Sequence, residues 1–296
     1  MTQTLIPHLW YDTQALEAAQ TYTQVFANAG IDWTHTLSDT PSGQAHLVQF
    51  HLGDLSLAAI SAGPYFQLNE SASLMVRLKD KAEVDRIYQA LGHNGQDLMP
   101  LGQYPFSDYY VWFKDAFGLS WQLMLDPDLS DKDYHIDTCL LFSMDQVGLA
   151  DDFLSYYSTV FDSARIGHRS YYQAGEAPDQ RAKLNYGELF IQDQRLVVMD
   201  HGYTGVAQFN EAFSFMVYVD TQKEADAYYQ ALSAVPQAEQ CGWVKDKFGL
   251  SWQIVPRIIM EAYGKYSPQQ LKAMNDAIMS MKRLDIEVIT NLLKEI

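Results

Sequence analysis

The sequence predicts an α+β fold built from four β-α-β-β-β units and followed by C-terminal helices, and three observations support this prediction. An eleven-residue phrase, WFKDAFGLSWQ at 112–122, returns as WVKDKFGLSWQ at 243–253, so the fold is duplicated. Short segments in both halves alternate apolar and polar residues, as half-buried strands do, and longer ones repeat apolar residues at helical spacing. The phrase itself predicts a strand, a Lys-Asp-x-Phe-Gly turn and a second strand, with glycine free to adopt positive φ.

The sequence of the first half predicts two of the β-α-β-β-β units. In the opening strand Ile6, His8 and Trp10 share one face, and Pro7 removes one ladder hydrogen bond, so this strand lies at an edge or pairs on one side there. The expected segments are a strand at 4–12, a helix at 14–27, strands at 32–38, 45–52, 55–61 and 73–78, a helix at 80–91, a Gly- and Pro-punctuated stretch at 92–107, and the strand pair of the repeated phrase.

The second half repeats this order, with a strand at 136–143, a helix at 148–161 and strands at 183–192 and 194–200. The first half holds about ten extra residues near 92–109, judged from the change in repeat offset. Ser267-Pro268 starts a helix with a methionine-rich stripe, a cap on the sheets or a self-association surface, and a last helix covers 285–295. We therefore predict a first domain at 1–126, a linker at 127–135, a second domain at 136–257 and a helical extension at 258–296.

Composition narrows the function classes. The formal net charge of −17 repels phosphate backbones and anionic membrane surfaces, so neither nucleic acid nor membrane is an expected partner. The two cysteines are too few for a disulfide scaffold, and no signal-peptide pattern or apolar run of membrane-spanning length is present. We expect a cytoplasmic protein.

Four such units in two pairs, each pair closed by the repeated phrase, resemble the vicinal oxygen chelate superfamily of glyoxalase I, extradiol dioxygenases and bleomycin resistance proteins. Within it the chain is similar to the PhnB-like branch labelled "3-demethylubiquinone-9 3-methyltransferase". The opening strand with Trp10, the segments 209–217 and 241–246, and the tail at 281–286 carry this likeness. The resemblance implies two fused glyoxalase-like domains that pair within one chain, and further homo-oligomers are an open alternative.

In that superfamily two units form a cup that holds a divalent metal, with ligands from the first and last strands of each unit. At those positions the first half offers His8 and Gln122, and the places near Ile60 and Ser73 hold no histidine or carboxylate. A divalent metal needs three or four nitrogen or oxygen ligands, preferably with anionic charge. We therefore expect no tightly bound catalytic metal and no other cofactor, with His8 and Gln122 as the weak metal candidates. Asp200-His201 is interpreted as a turn rather than as a ligand pair.

The methyltransferase label finds no support in a motif, because the sequence has no strand, Gly-rich loop and helix that would hold a methyl donor. Lys114-Asp115 and Lys245-Asp246 are interpreted as turn residues that form a local ion pair. Asn69-Glu70 and Asn210-Glu211 occupy equivalent loops, either as Asx turns or at the mouths of the cups.

Three functions stay open. The first is a protein that binds a small organic molecule in an aromatic-lined pocket, with its reaction unassigned and its status as an enzyme undecided. The second is a metal-dependent lyase, isomerase or dioxygenase that uses His8 and Gln122. The third is an interaction scaffold that uses the C-terminal helices. The candidate ligand-binding residues are His8, Trp10, Ser73, Trp121, Gln122, Ser214, Trp243 and Gln253.

Overall fold

A computed structural model describes residues 4–40, 43–129, 133–203, 207–263 and 265–294, with only the backbone of Asp39. Part of the predicted linker, at 130–132, and part of the loop after Tyr203 lie outside the described residues. Among the helices that the structure describes, none combines the length and the apolar character needed to cross a membrane.

The first half contains the two predicted units, and one strand was missed. That strand, Gln96–Tyr104, lies inside the stretch read as a punctuated connection, and repeated register shifts against its partner hide its period of two. The elements are β1 Leu5–Tyr11, α1 Ala15–Val25, β2 Ala29–Thr40, β3 Gly43–Leu52, β4 Leu55–Ser61, β5 Ala72–Leu78, α2 Lys81–Leu91, β6 Gln96–Tyr104, β7 Ser107–Lys114 and β8 Ser120–Leu125.

The second half repeats this order without a counterpart of β6 and adds three C-terminal helices. The strand Ala164–Tyr171 and the helix Arg257–Ala262 were not predicted, the second because its Ile-Ile-Met run continues the apolar strand before it. The elements are β9 Tyr134–Phe142, α3 Ala150–Val160, β10 Ala164–Tyr171, β11 Leu184–Ile191, β12 Gln194–Asp200, β13 Phe213–Val219, α4 Gln222–Leu232, β14 Trp243–Lys245, β15 Ser251–Pro256, α5 Arg257–Ala262, α6 Pro268–Ser280 and α7 Ile286–Lys294.

The strands form two mixed sheets, and each sheet takes one unit from each half. Sheet 1 has the order β14-β15-β13-β1-β4-β3-β2, and sheet 2 has the order β10-β11-β12-β9-β5-β8-β7-β6. The halves meet at two antiparallel seams, β1 against β13 and β5 against β9. β1 is therefore an interior strand, and Pro7 is accommodated because pairing with β4 begins only at His8.

One face of each sheet packs against the helices, and we call it the helix face; the opposite one is the far face. Alternate residues of β1 divide between them: Leu5 and Leu9 join the main core on the helix face, and Ile6 and His8 lie on the far face. A single cluster joins the helix faces of both sheets, since Tyr22 of α1 contacts Phe50 of sheet 1 and Trp121 of sheet 2.

The C-terminal helices cover part of the far face of sheet 1. Met260 of α5 packs on an apolar patch formed by Ile6, Met216 and their neighbours, and Tyr263 stacks on Trp33 and lies against His35 of β2. The serine–proline start of α6 is as predicted, with Ser267 and Gln270 forming a capping box. The predicted methionine-rich stripe of α6 packs against α5 and α7 in a cluster of its own, and the contacts with the sheet come from α5 and Tyr263.

Candidate functional site

A polar group lies on the far face of sheet 1 beside the patch that α5 covers. Strand pairing places His8 of β1 opposite Ser214 of β13, and Gln253 of β15 opposite Trp243 of β14. Gln253 Nε2 donates to Ser214 Oγ at 3.0 Å, and Ser214 Oγ lies 3.4 Å from His8 Nδ1. Ser214 Oγ accepts the amide and can also donate its hydroxyl hydrogen to Nδ1; in that arrangement the ring hydrogen of neutral His8 is on Nε2.

His8 is neutral in this setting. Its side chain is buried, and burial lowers its pKa from 6.5 to about 3. An imidazole with this pKa carries no charge near pH 7 and is a weak proton acceptor. Its chemical contribution at neutral pH is therefore hydrogen bonding.

Three aromatic rings surround this polar group. The Trp243 ring meets the His8 ring edge to face, with 5.5 Å between centroids, and lies 6.4 Å from Trp10. Trp10 in turn contacts Phe66 at 5.2 Å, and its indole N–H donates to the carbonyl oxygen of Gly63. We call His8, Ser214, Ser251, Gln253 and Trp243, with Trp10 and Phe66, the sheet 1 site.

Sheet 2 carries an equivalent arrangement, which we call the sheet 2 site. Its pairing register matches residue for residue, so Cys139 takes the place of His8, Ser73 that of Ser214, Gln122 that of Gln253 and Trp112 that of Trp243. Gln122 Nε2 donates to Ser73 Oγ at 2.7 Å. Burial raises the pKa of the Cys139 thiol to about 12, so it is not a thiolate at neutral pH.

The two sites differ in how fully their polar groups are bonded. On sheet 2, Tyr110 donates to Gln122 Oε1 at 2.8 Å, and Trp112 Nε1 donates to Ser120 Oγ at 2.8 Å. On sheet 1, Cys241 stands where Tyr110 would stand, and its thiol turns to Met279 instead.

Four groups of the sheet 1 site therefore have no partner among the described residues. Ser251 Oγ, the equivalent of Ser120 Oγ, is fully buried and has no hydrogen bond. His8 Nε2, Gln253 Oε1 and Trp243 Nε1 also form no hydrogen bond within the described part of the chain.

The far face of sheet 2 also carries a network of ion pairs between neighbouring strands. Arg195 bonds Asp137 and Glu188, and Arg77 bonds Asp126. Although burial alone would raise the pKa of Asp137, the hydrogen bonds from His135 and Arg195 and the Arg195 charge lower it below its usual value. These pairs connect neighbouring strands, which is a structural role.

The candidate residues are distributed over both sites and the core. His8, Trp10, Ser214, Trp243 and Gln253 meet in the sheet 1 site, whereas Ser73 and Gln122 lie together in the sheet 2 site. The sequence analysis placed His8 and Gln122 in one cup, and this is wrong, because β1 and β8 belong to different sheets.

Trp121 belongs to the core rather than to a pocket. It is fully buried on the helix face of sheet 2, stacks on Phe26 and donates its indole N–H to Asp115 at 2.8 Å. Period-two alternation puts Trp121 and Gln122 on opposite faces, so the tryptophan cannot accompany its neighbour.

The donor set of neither site fits the divalent metal that the superfamily resemblance implies. Sheet 1 offers one imidazole with an amide and hydroxyls, and sheet 2 offers a thiol with a raised pKa, so neither supplies the anionic ligands that such a metal prefers. Within the described residues, no three His, Cys, Asp or Glu side chains are grouped as a metal site would require. Asp200 is engaged elsewhere, since its two oxygens accept backbone N–H groups of Gly148, Ala150, Lys183 and Leu184.

Two further sequence interpretations are settled by the contacts. Asn69 and Asn210 form Asx turns, and each donates its amide to a backbone carbonyl of the other half, at Gln208 and Gln67. The predicted ion pair between Lys114 and Asp115 is wrong.

The lysine and the aspartate of each turn have different partners. Lys114 pairs with Glu70, and Lys245 with Glu211. Asp115 and Asp246 are buried and accept hydrogen bonds from their own turns, from a tryptophan and from a helix tyrosine.

The sequence analysis missed the hydroxyl pair Ser120 and Ser251, the tyrosine Tyr110, and Phe66. The two serines lie inside the repeated phrase, so the repeat was the signal that could have indicated them. Tyr110 aligns with Cys241 rather than with a second tyrosine, and no pattern indicated the position of Tyr110 or of Phe66.

A family model described as 3-demethylubiquinone-9 3-methyltransferase matches the chain twice, over residues 3–124 and 134–255. A search of curated proteins finds no match. Among solved structures, a PhnB protein from Bacillus cereus is 29% identical, with 42% of this chain and 100% of that chain covered and a TM-score of 0.40. Glyoxalase I from Zea mays is 11% identical, with 88% of this chain and 96% of that chain covered and a TM-score of 0.56, which shows a shared fold.

Proposed function

We propose that this chain, which belongs to the 3-demethylubiquinone-9 3-methyltransferase family of PhnB-like vicinal oxygen chelate proteins, binds a small organic molecule at the sheet 1 site. The observation that carries the proposal is the contrast in hydrogen bonding. The sheet 2 site bonds its amide oxygen and its indole N–H internally, whereas the same groups of the sheet 1 site have no partner among the described residues.

Polar groups without protein partners beside aromatic rings favour a ligand. One of them, Ser251 Oγ, is buried, and a buried hydroxyl without a partner costs about 1–3 kcal/mol. For the others a ligand replaces bonds to water, and each such hydrogen bond contributes about 0.5–1.5 kcal/mol. In its Nε2–H tautomer His8 offers a donor, and Gln253 Oε1 offers an acceptor. A ligand with one acceptor and one donor is complementary to this pair.

The surroundings of these groups are apolar and aromatic. Trp10 and Phe66 supply ring faces and edges, Trp243 lies against His8, and α5 covers the adjoining patch through Met260. Ligand sites of proteins typically combine a mainly apolar lining with a few placed polar groups.

The proposal assigns binding and no reaction. The site's only titratable member among the residues named is His8, and burial lowers its pKa to about 3. General acid–base catalysis near neutral pH needs a group whose pKa lies close to the working pH. Metal-dependent chemistry would require a donor set that His8 and Gln253 do not provide.

The test uses matched variants of the two sites. A library of neutral and charged small molecules is screened by thermal shift, and hits are quantified by calorimetry on His8→Ala and Ser214→Ala, with Cys139→Ala and Ser73→Ala as controls. We expect the sheet 1 variants to weaken binding about tenfold or more, the effect of losing one or two hydrogen bonds, and the controls to leave it unchanged.

Two results would contradict the proposal. The first is a set of hits that respond only to the sheet 2 variants. The second is a near-stoichiometric divalent metal in the gently purified protein that is lost in His8→Ala, which would favour metal-dependent chemistry.

A further inference from the structure

Two equivalent tryptophans in this chain point in different directions. Trp112 donates its indole N–H to Ser120 Oγ at 2.8 Å. Trp243, its equivalent in the second copy of the phrase, instead meets the His8 ring with 5.5 Å between centroids. Ser251 Oγ, the equivalent of Ser120 Oγ, is left buried and without a partner.

The strand pairing of the two tryptophans is the same, although Trp112 lies inside a strand and Trp243 follows a tight turn at Cys241 and Gly242. Trp112 pairs with Gln122, and Trp243 pairs with Gln253. Ser120 and Ser251 likewise occupy one register position, each opposite the serine of the neighbouring strand. A bonded orientation like that of Trp112 is therefore compatible with this strand pairing.

The observed orientation of Trp243 is favoured by ring contacts and disfavoured by hydrogen bonding. Its ring contacts His8 and Trp10, and those contacts stabilise the orientation. The unbonded Ser251 hydroxyl opposes it, because a buried hydroxyl without a partner is costly. A ligand that replaces the ring contacts would therefore shift Trp243 towards the orientation that bonds Ser251.

We propose that the Trp243 ring occupies the ligand position of the free protein, and that the site takes an uncharged molecule with a flat aromatic ring of about the size of an indole. When the ligand enters, Trp243 turns to donate to Ser251 Oγ, as Trp112 does to Ser120. This inference rests on the proposed function, since it names the ligand class and the gate of the same site.

The electrostatics of the site favour an uncharged ligand. His8 is neutral at pH 7, because burial lowers its pKa to about 3. Lys245, the charged residue paired with Ser251 in register, is bound to Glu211 at 2.6 Å. A charged ligand would therefore be desolvated without a free opposite charge among these residues.

The ring contacts favour an aromatic ligand. A molecule that displaces Trp243 has to replace its contacts with the His8 and Trp10 rings, and a flat ring reproduces edge-to-face geometry. A hydrogen-bonding group on that ring then reaches His8 Nε2 or Gln253 Oε1. An aliphatic molecule of equal volume can carry the hydrogen-bonding group, but it does not reproduce the edge-to-face ring contacts.

The test titrates indole and indole-3-carboxylate into protein labelled with 5-fluorotryptophan, followed by ¹⁹F NMR, with resonances assigned by single Trp→Phe variants. We expect indole to shift the Trp243 resonance and to bind at least tenfold more tightly than the carboxylate. Trp243→Ala should bind indole about tenfold more tightly, because the competing ring is gone. Ser251→Ala should bind it about fivefold more weakly, because the open orientation loses its hydrogen bond.

The first half supplies the matched controls. Ser120→Ala should leave indole affinity unchanged. Trp112→Ala shows whether removing a tryptophan merely creates an indole-sized cavity. The remaining ¹⁹F resonances report whether each variant is folded, and Trp243→Phe, which keeps a smaller competing ring, should give an intermediate affinity.

The outcomes separate this inference from the proposed function. If indole binding is lost in His8→Ala and is weakened in Trp243→Ala, the site binds ligands as proposed. Trp243 then lines the site instead of occupying the ligand position, and the inference is overturned. An unchanged affinity in Ser251→Ala, or an equal preference for the carboxylate, overturns it as well. Binding that responds only to sheet 2 variants overturns both.

Discussion

At the scale of single residues, equivalent positions of the repeat hold different side chains, and their chemistry diverges accordingly. His8 and Cys139 occupy the same register position in the two sheets, and both are buried. Burial lowers the pKa of His8 to about 3 and raises that of Cys139 to about 12. Both effects keep the side chain neutral, so both far faces present an uncharged group beside a serine and a glutamine.

His8 is expected to make stability depend on pH. Its pKa is 6.5 when unfolded and about 3 when folded, so the unfolded chain binds the proton more readily in this window. Stability therefore falls as the pH drops from 6.5 towards 3, by about 1.4 kcal/mol per pH unit from this group alone. Urea denaturation of the wild type and His8→Cys, which copies the sheet 2 residue, measures the difference at pH 4, 5, 6 and 7. Equal pH slopes for the two proteins would contradict the assignment.

At the scale of elements, the Lys-Asp-x-Phe-Gly turn is a point of attachment between strands and helices. Asp115 Oδ1 accepts from the N–H groups of Phe117 and Leu119, and Oδ2 accepts from Trp121 and Tyr22. The second copy repeats this set with Asp246 and Tyr157 of α3. One carboxylate thus closes a turn and fixes a helix against the strand pair.

We expect Asp115→Asn to destabilise the protein by about 2–3 kcal/mol, because an amide NH₂ would face donors in place of an acceptor oxygen. The neighbouring Lys114→Gln should cost less than about 1 kcal/mol, since its partner Glu70 lies 3.5 Å away near the surface. Chemical denaturation of the two variants provides the comparison. Similar losses for the two variants would contradict this difference between the buried carboxylate and the lysine.

At the scale of the whole molecule, neither half completes a sheet alone. The seam β1–β13 joins the two parts of sheet 1, and the seam β5–β9 joins the two parts of sheet 2. The reciprocal amide bonds of Asn69 and Asn210 add contacts between the halves. The two halves are therefore paired within one chain, while the predicted domain limits and any further oligomer remain predictions.

This pairing predicts how separated halves behave. Fragments 1–129 and 133–296, when co-expressed, should form a 1:1 complex with the far-UV circular dichroism of the intact chain. Either fragment alone leaves the edges at β1 and β5, or at β13 and β9, unpaired, and unpaired apolar edges promote association. Light scattering after size exclusion should show a dimer or larger species. A cooperatively folded monomer of one fragment would contradict the seam.

The sequence by itself determined the local features of this protein, because they depend on neighbouring residues. Alternation along β1 placed Ile6 and His8 on one face, the Lys-Asp-x-Phe-Gly segment formed the predicted turn, and Gly118 and Gly249 have positive φ. The resemblance to glyoxalase-like PhnB proteins, with four units and C-terminal helices, is confirmed by the family match and the fold. Strand alternation and the family resemblance together selected most of the candidate residues. Whether these residues bind a ligand stays a prediction.

Only the tertiary structure decided which units share a sheet. The pairing of His8 with Ser214 joins residues that no local pattern relates, and it separates His8 from Gln122. Two copies of one phrase also gave different orientations of Trp112 and Trp243, because the surrounding residues come from different units. Strand partners and buried orientations depend on contacts between distant segments, and such contacts leave no periodic trace in a single sequence.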